Sequence, residues 1–264
     1  RVLGEEAEEH PHEQEFEVGA PVASRRQHVV QVADALGGFD AGLFFFFEHL
    51  PGEVKQEGEL ADVLGQAFAA LPGEVRLVDA DPVELVRADG AVREVRHGQH
   101  LLVRVRPDAP RRVILTGHMD TVYGADDAFQ SCDWIDERTL HGPGTADMKG
   151  GIALMLAGLQ AFESGAPELG YDVLINSDEE TGSASSARLI AELAQGKIAA
   201  LTYEPPLPSG NMARARPGSG NFSAVIRGRS AHAGRNPEEG RNAILAASDL
   251  ALRLAALVEP GLTL

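Results

Sequence analysis

Val113-Ile-Leu-Thr116, running directly into Gly117-His-Met-Asp120, is the stretch that decides the fold. A short apolar, β-branched run that breaks at once into a glycine and polar side chains reads as a buried strand delivering chemistry at its carboxyl end. The same grammar returns twice. Tyr171-Asp-Val-Leu-Ile175 runs into Asn176-Ser-Asp-Glu-Glu180, and Ala199-Ala-Leu-Thr202 runs into Tyr203-Glu-Pro205. A helix from about Lys149, with Ile152, Met155, Leu156, Leu159 and Phe162 on one face, separates the first two, and a second, Ser185 to Ala194, separates the next two. Strands alternating with helices predict an α/β fold, a mostly parallel sheet flanked by helices.

Upstream, Leu60, Val63, Leu64, Ala67, Phe68 and Leu71 recur at helical spacing and are closed by Pro72-Gly73; strand-like stretches follow at Val75–Val78 and Leu101–Arg106. Downstream of Pro208, Asn211–Arg216 and Asn221–Gly228 read as two strands around Pro217-Gly218. A helix over Asn242–Val258 follows, with Ile244, Ala247, Ala251 and Leu254 on its buried face. This is the opening of a smaller α+β domain. The expected organisation is an atypical acidic leader over 1–57, a main domain over 58–208 and a partial second domain over 209–264.

Composition narrows the function classes. The 264 residues carry 40 acidic and 23 basic side chains, net −17, which argues against a nucleic-acid binder or a protein held on anionic membrane. Residues 1–60 hold 13 acids, 4 bases and four of the nine histidines, with no clear periodicity outside Val29 to Leu36, the texture of a segment that stays disordered. The single cysteine, Cys132, excludes a disulfide framework and a multi-cysteine zinc site, and suits a reducing, cytoplasmic compartment. No apolar run approaches the ~18 residues of a membrane span. The chain starts at Arg1 without a basic-then-apolar leader, so no signal peptide is expected and the front end reads as that of a fragment.

In an open α/β sheet, ligands bind where strands end at their carboxyl termini. All three strand candidates end there in metal-ligating types: His118 and Asp120; Asp178, Glu179 and Glu180; Glu204. Asp147 joins them from the glycine-rich Gly142-Pro-Gly-Thr-Ala-Asp-Met-Lys-Gly-Gly151, directly before a helix. That stretch has neither the third glycine of a dinucleotide fingerprint nor a Walker lysine and hydroxyl pair. One imidazole among several carboxylates suits a Zn²⁺-type ion, and so few nitrogens favour two ions sharing a carboxylate. Of the adjacent Glu179 and Glu180, one can bind metal while the other faces the water to be deprotonated. Asp120 is placed to accept a hydrogen bond from the far imidazole nitrogen of His118. His97, His100 and His141 match no motif, Asp126 and Asp127 read as loop residues, and Cys132 shows no pattern of a nucleophile.

Gly117-His-Met-Asp-Thr-Val122, the Gly142–Gly151 stretch, Ser177-Asp-Glu-Glu-Thr-Gly182, Tyr203-Glu-Pro205 and Gly228-Arg-Ser-Ala-His-Ala-Gly234 together resemble the di-zinc metallopeptidase and amidohydrolase family. That family includes carboxypeptidase G, aminoacylase, acetylornithine deacetylase and succinyl-diaminopimelate desuccinylase. The resemblance covers 59–264 and is nearest the carboxypeptidase G branch. It implies a zinc-exopeptidase-like fold with a lid and dimerisation domain, and two Zn²⁺ per full-length subunit, with Co²⁺ or Mn²⁺ as alternatives. His118, Asp147 and Glu204 would hold one ion; Asp147 would bridge to a second held by Glu180. Glu179 would be the general base, Asp120 the His118 orienter, and the Asp147–Met148 peptide cis. His232, by its residues alone a surface histidine at a hairpin edge, would be the lid histidine that reaches a partner subunit's site in a homodimer. The implied substrate is a small N-acyl amino acid or peptide, with release of a C-terminal amino acid favoured over deacetylation or desuccinylation.

The family's second zinc takes a further histidine after the chain returns from the lid, and this sequence stops before it. The expectation is therefore an incomplete enzyme with an under-coordinated second ion. Its rival is a truncated non-catalytic homologue acting in binding or dimerisation. A dinuclear phosphoesterase is disfavoured because no Arg/Lys cluster is placed to hold phosphate.

Overall fold

The computed structural model describes residues 29–31, 57–87, 89–137, 139–165, 167–207, 209–211, 218, 220 and 222–258. In chain order the elements are strand β1 (Val29–Gln31), helix α1 (Glu57–Phe68), and strands β2 (Glu74–Val78), β3 (Val83–Val86), β4 (Val92–Val95), β5 (His100–Val105), β6 (Arg112–His118), β7 (Asp133–Asp136) and β8 (Thr139–His141). Then come α2 (Gly150–Glu163), β9 (Gly170–Asn176), α3 (Ala187–Ala194), β10 (Ala199–Thr202) and α4 (Ala243–Ala255).

The central sheet has the order β10-β6-β9-β5-β2. β10, β6 and β9, the three strands whose ends carry the polar motifs, are mutually parallel. β5 and β2 add to them antiparallel, so the whole sheet is mixed. The division follows connection length. The parallel strands are joined by helical crossovers, whereas β2, β5 and β6 are reached without one.

Alternation along the strands makes three layers. Leu101, Val103, Val105, Leu115, Val173 and Ile175 face α1 and α2, where Leu64, Phe68, Met155 and Ile152 are fully or almost fully buried. Leu102, Ile114 and Leu174 face the other way, onto Leu193 of α3. A one-residue slip of any central strand would exchange the two sets, so the register is fixed by both helical layers. β10 differs from its expected status as a buried strand. It is exposed throughout, because β6 covers one edge only and no described strand pairs with the other.

Further findings concern the periphery. Val29–Gln31, inside the segment read as a leader, pairs antiparallel with Thr139–His141; the rest of 1–56 lies outside the described residues. The β3–β4 and β7–β8 pairs were not anticipated. Asn221–Gly228 is not a strand over its described part, 222–228, where an isolated bridge between Arg229 and Arg241 is the nearest pairing. Its expected partner, Asn211–Arg216, lies outside the described residues beyond Asn211. α4 forms, capped by the Asn242 side chain accepting from the N–H groups of Ile244 and Leu245. None of its residues is buried, however, and Ile244 is 76% exposed, because no described core cluster reaches it.

One ion pair sits inside the sheet. Asp172 of β9 lies 2.7 Å from Lys197 Nζ, which also donates to the Leu193 carbonyl, and both side chains are almost fully buried. It ties the α3–β10 connection to the central strand. Lys197→Met should cost up to about 3–5 kcal/mol in urea unfolding, since it leaves a buried carboxylate with only the more distant Arg104 Nε at 3.8 Å, and the double change Lys197→Met with Asp172→Leu should recover most of that loss.

Candidate metal centre

The parallel register places the three strand ends side by side: His118 pairs with Asn176, and Thr202 with Thr116, one residue before Tyr203-Glu204. His118 is 1% exposed. Its Nε2 stands 3.1 Å from Asp147 Oδ1, 3.8 Å from Glu204 Oε1 and 3.9 Å from Glu179 Oε2. Two triads of ligand-type atoms share this imidazole, His118 with Glu179 and Glu204, and His118 with Asp147 and Glu180. The family resemblance sets Asp147 with Glu204 and keeps Glu179 off the metal; Asp147 also reaches Glu204. Here Glu179 lies as near the imidazole as Glu204 does.

Asp120 does more than the sequence suggested. Its Oδ1 is 3.4 Å from His118 Nδ1, while its backbone carbonyl lies closer to the same nitrogen, at 3.0 Å. The carboxylate also accepts from the N–H groups of Glu179 (3.2 Å) and Glu180 (2.9 Å). Asp120 thus meets the histidine through its backbone carbonyl, with its carboxylate nearby, while that carboxylate fixes the backbone that carries two acids. Asp178, grouped by sequence with the ligand types, turns inward instead. It is fully buried and accepts from the N–H groups of Ser185 (2.7 Å) and Ser186 (3.2 Å). Burial alone would raise its carboxyl; the side chains of Ser186 and Ser185 and their N–H groups outweigh it and hold the group below the usual carboxylate range.

Asp147 arrives on a wide turn, Thr145–Lys149, just ahead of α2. Gly144 supplies the left-handed backbone (φ 71°) that starts the turn, and the Asp147–Met148 peptide is cis. Gly151 lets α2 approach the end of β10: a Cβ there would sit 2.0 Å from the Tyr203 carbonyl oxygen, next to Glu204. Gly151→Ala should therefore push Glu204 off the cluster. The expected outcome is a fall in divalent-metal affinity, read by calorimetric titration, with a stability loss of about 1–3 kcal/mol.

Among the expected site residues, His118, Asp120, Asp147, Glu179, Glu180 and Glu204 are brought together. His232 is not: it is exposed and its described contacts are local, its Nδ1 accepting from the Gly234 N–H. His100, set aside by sequence, is buried and bonded to Ser177, two residues before Glu179. A histidine that opens an apolar strand after Gly98-Gln99 offers no periodic signal that would have singled it out.

The donor set fits a cation. Glu204 is pushed up to about 7, first by burial and then by the charges of Asp147 and Glu179, against the opposing pull of His118. Glu180 is raised by burial and by Asp147. Burial would lower His118, yet the carboxylates of Asp120 and Asp147 and the charge of Glu204 lift it to about 11. These acids repel one another at close range, and the imidazole keeps a proton as their counter-charge; a divalent ion relieves the same repulsion more fully.

A family model described as Peptidase family M20/M25/M40 matches residues 114–258, more than half of the chain. The chain belongs to this family. It is 35% identical over 159 residues to carboxypeptidase G2 of Pseudomonas sp. (strain RS-16), covering 59% of this chain and 38% of that protein. It is 34% identical over 155 residues to succinyl-diaminopimelate desuccinylase of Maricaulis maris (strain MCS10), covering 54% and 40%. The matched chain thus spans about two fifths of the length of these curated relatives. Among solved structures, the M20 family metallo-carboxypeptidase Sso-CP2 from Sulfolobus solfataricus is similar at TM-score 0.49 and 16% identity, covering 65% of this chain and 39% of that one. Human carnosine dipeptidase 1 is similar at TM-score 0.48 and 17% identity, covering 62% and 39%. No helix among the described residues is long and apolar enough to cross a membrane.

Binding a divalent ion must displace the proton on His118 and any proton on Glu204. Both groups release protons as pH rises, so Zn²⁺ affinity should climb between pH 6 and pH 9. Titration in buffers of different ionisation enthalpy should register net proton release throughout that range; affinity independent of pH would contradict the assignment.

Proposed function

We propose that this chain is the metal-binding part of a zinc-dependent hydrolase acting on the amide bond of small N-acyl amino acids or short peptides, with Co²⁺ or Mn²⁺ as alternative ions. The observation that carries the reading is the convergence of Asp147, Glu204 and Glu179 to within 3.1–3.9 Å of one buried imidazole. His118, Asp147 and Glu204 hold one ion, and Asp147 with Glu180 contributes to a second. Bound there, zinc supplies the positive charge that polarises a scissile carbonyl and acidifies the attacking water.

The remaining work falls to side chains. Glu179, side chain 45% exposed at the mouth of the cluster, takes the proton of the attacking water and passes it to the leaving amine nitrogen as the C–N bond breaks. Asp120 keeps the His118 ring aimed and the Glu179–Glu180 backbone in place. By the family resemblance, His232 contributes a hydrogen bond to the tetrahedral oxyanion from a partner subunit. Residues 209–264 then belong to a lid and dimerisation unit, and 58–208 to the catalytic unit of a cytoplasmic homodimer. Similarity to carboxypeptidase G2 favours release of a C-terminal amino acid over deacylation.

Glu179→Gln and Asp147→Asn separate the roles. The first should retain bound zinc and lower the hydrolysis rate of an N-acylglutamate by about 10²–10⁴-fold, the range of a lost general base. The second should lose metal as well as activity. Equal metal loss in both variants would make Glu179 a ligand and remove it as the base. N-acetylornithine and N-succinyl-diaminopimelate, assayed beside the N-acylglutamate, decide the substrate class.

A further inference from the structure

We propose that His100 is a positioning residue for the metal centre, holding the Ser177–Ser186 loop so that Glu179 and Glu180 meet the shared imidazole. The inference rests on the metal-centre reading above and extends it to a residue that no motif includes.

His100 opens β5, one position before the Leu101–Ile175 pair that joins β5 to β9. It is 1% exposed, at the level of the apolar core. Its Nδ1 accepts from the Ser177 N–H at 3.2 Å, at the point where β9 gives way to the loop. The Ser177 hydroxyl lies 3.2 Å from the same nitrogen and donates to the Gly98 carbonyl at 2.7 Å, which ties the loop a second time to the approach to β5. One ring therefore holds the start of a ten-residue turn that carries two acids of the cluster.

The tautomer follows from the donor. An Nδ1 that accepts a backbone N–H carries no proton, so the neutral ring is protonated on Nε2. Burial favours that neutral form. Between the two ends, Asp178 braces the loop from inside through Ser185 and Ser186, and Asp120 grips Glu179 and Glu180 from the cluster side. Asp178 belongs to the loop itself and Asp120 to the site. His100 is the fully buried member of the links from this loop to β5 and its approach, beside the Ser177–Gly98 bond and the exposed Thr181–His97 contact. Outer partners of metal ligands characteristically tune affinity by 10–100-fold.

The test compares the full chain with His100→Leu, which keeps bulk but not the acceptor, and His100→Asn, which restores an acceptor for the Ser177 N–H. Leu193→Ala, in the core beneath α3, serves as a control for lost stability alone. Hydrogen exchange of the metal-free proteins is read over 177–186, and Zn²⁺ affinity by calorimetric titration at a temperature where each is folded by circular dichroism. Expected for His100→Leu are faster exchange confined to that loop and Zn²⁺ binding weakened 10–100-fold, both largely restored in His100→Asn and absent from Leu193→Ala. Wild-type-like exchange and affinity in His100→Leu, or equal losses in Leu193→Ala, would overturn the proposal. If His100→Leu does not fold, His100→Ala takes its place, with the same expected losses and the same overturning results. A wild-type chain that takes up no Zn²⁺ would overturn the metal-centre reading and this inference with it. Wild-type uptake with no effect at residue 100 overturns this inference only.

Discussion

Carboxylates crowded around one buried imidazole are the constraint on which the rest of this structure depends. Asp147, Glu179 and Glu204 approach the same ring nitrogen of His118, and Glu180 completes the second triad. Such an arrangement opposes folding unless something positive is shared among them. In the protein without an ion that role falls to a proton, which explains why a buried imidazole is lifted while neighbouring carboxyls are raised. The parallel strands bear the repulsion because their apolar packing lies apart from it: the residues facing α1 and α2 are apolar, and Leu102, Ile114 and Leu174 pack on Leu193 of α3.

The sheet also explains why acids so distant in sequence meet. Parallel strands joined by helical crossovers bring their carboxyl ends to one edge, so residues 118, 176 and 202 become neighbours although 84 positions separate the first from the last. Asp147 comes from a different source. It is carried by the wide turn before α2, whose approach to Tyr203 depends on Gly151. The loops supply the ligands, while strand register and helix packing set the distances between them.

Legibility in the sequence followed the source of the signal. The parallel core was readable because apolar runs, periodic helices and motif ends occur in the same order as the strands that form. His118, Asp147, Glu179, Glu180 and Glu204 were readable for the same reason, as polar residues placed where strands or glycine-rich turns end. β3, β4, β7 and β8 left weak signals, since short, half-exposed pairs such as Val83–Val86 with Val92–Val95 need little apolar periodicity. α4 was legible as a helix but not in its burial: amphipathicity states that a face can pack, and Ile244 and Leu252 remain exposed where no described element covers them. Asp178 was misread because an acid at a strand end looks the same whether it faces a metal or caps its own loop.

That last ambiguity has a physical resolution. A carboxylate's role is set by which donors reach it, and donors are backbone groups whose positions only the folded loop defines. Asp178 meets two N–H groups from its own loop and is consumed by them, whereas Glu179 and Glu180 have their N–H groups taken by Asp120 and their carboxylates left to the cluster. Three consecutive acids thus divide into one that builds the loop and two that face the chemistry. The division requires the backbone to reverse direction after residue 178, and it does so through Ser183 N–H donating to the Asp178 carbonyl and Gly182 N–H to that of Glu179. Gly182, at φ 103°, is the residue that permits this reversal. The Ser-Asp-Glu-Glu-Thr-Gly order is therefore one structural unit, in which the glycine makes the turn that lets adjacent acids point to opposite tasks.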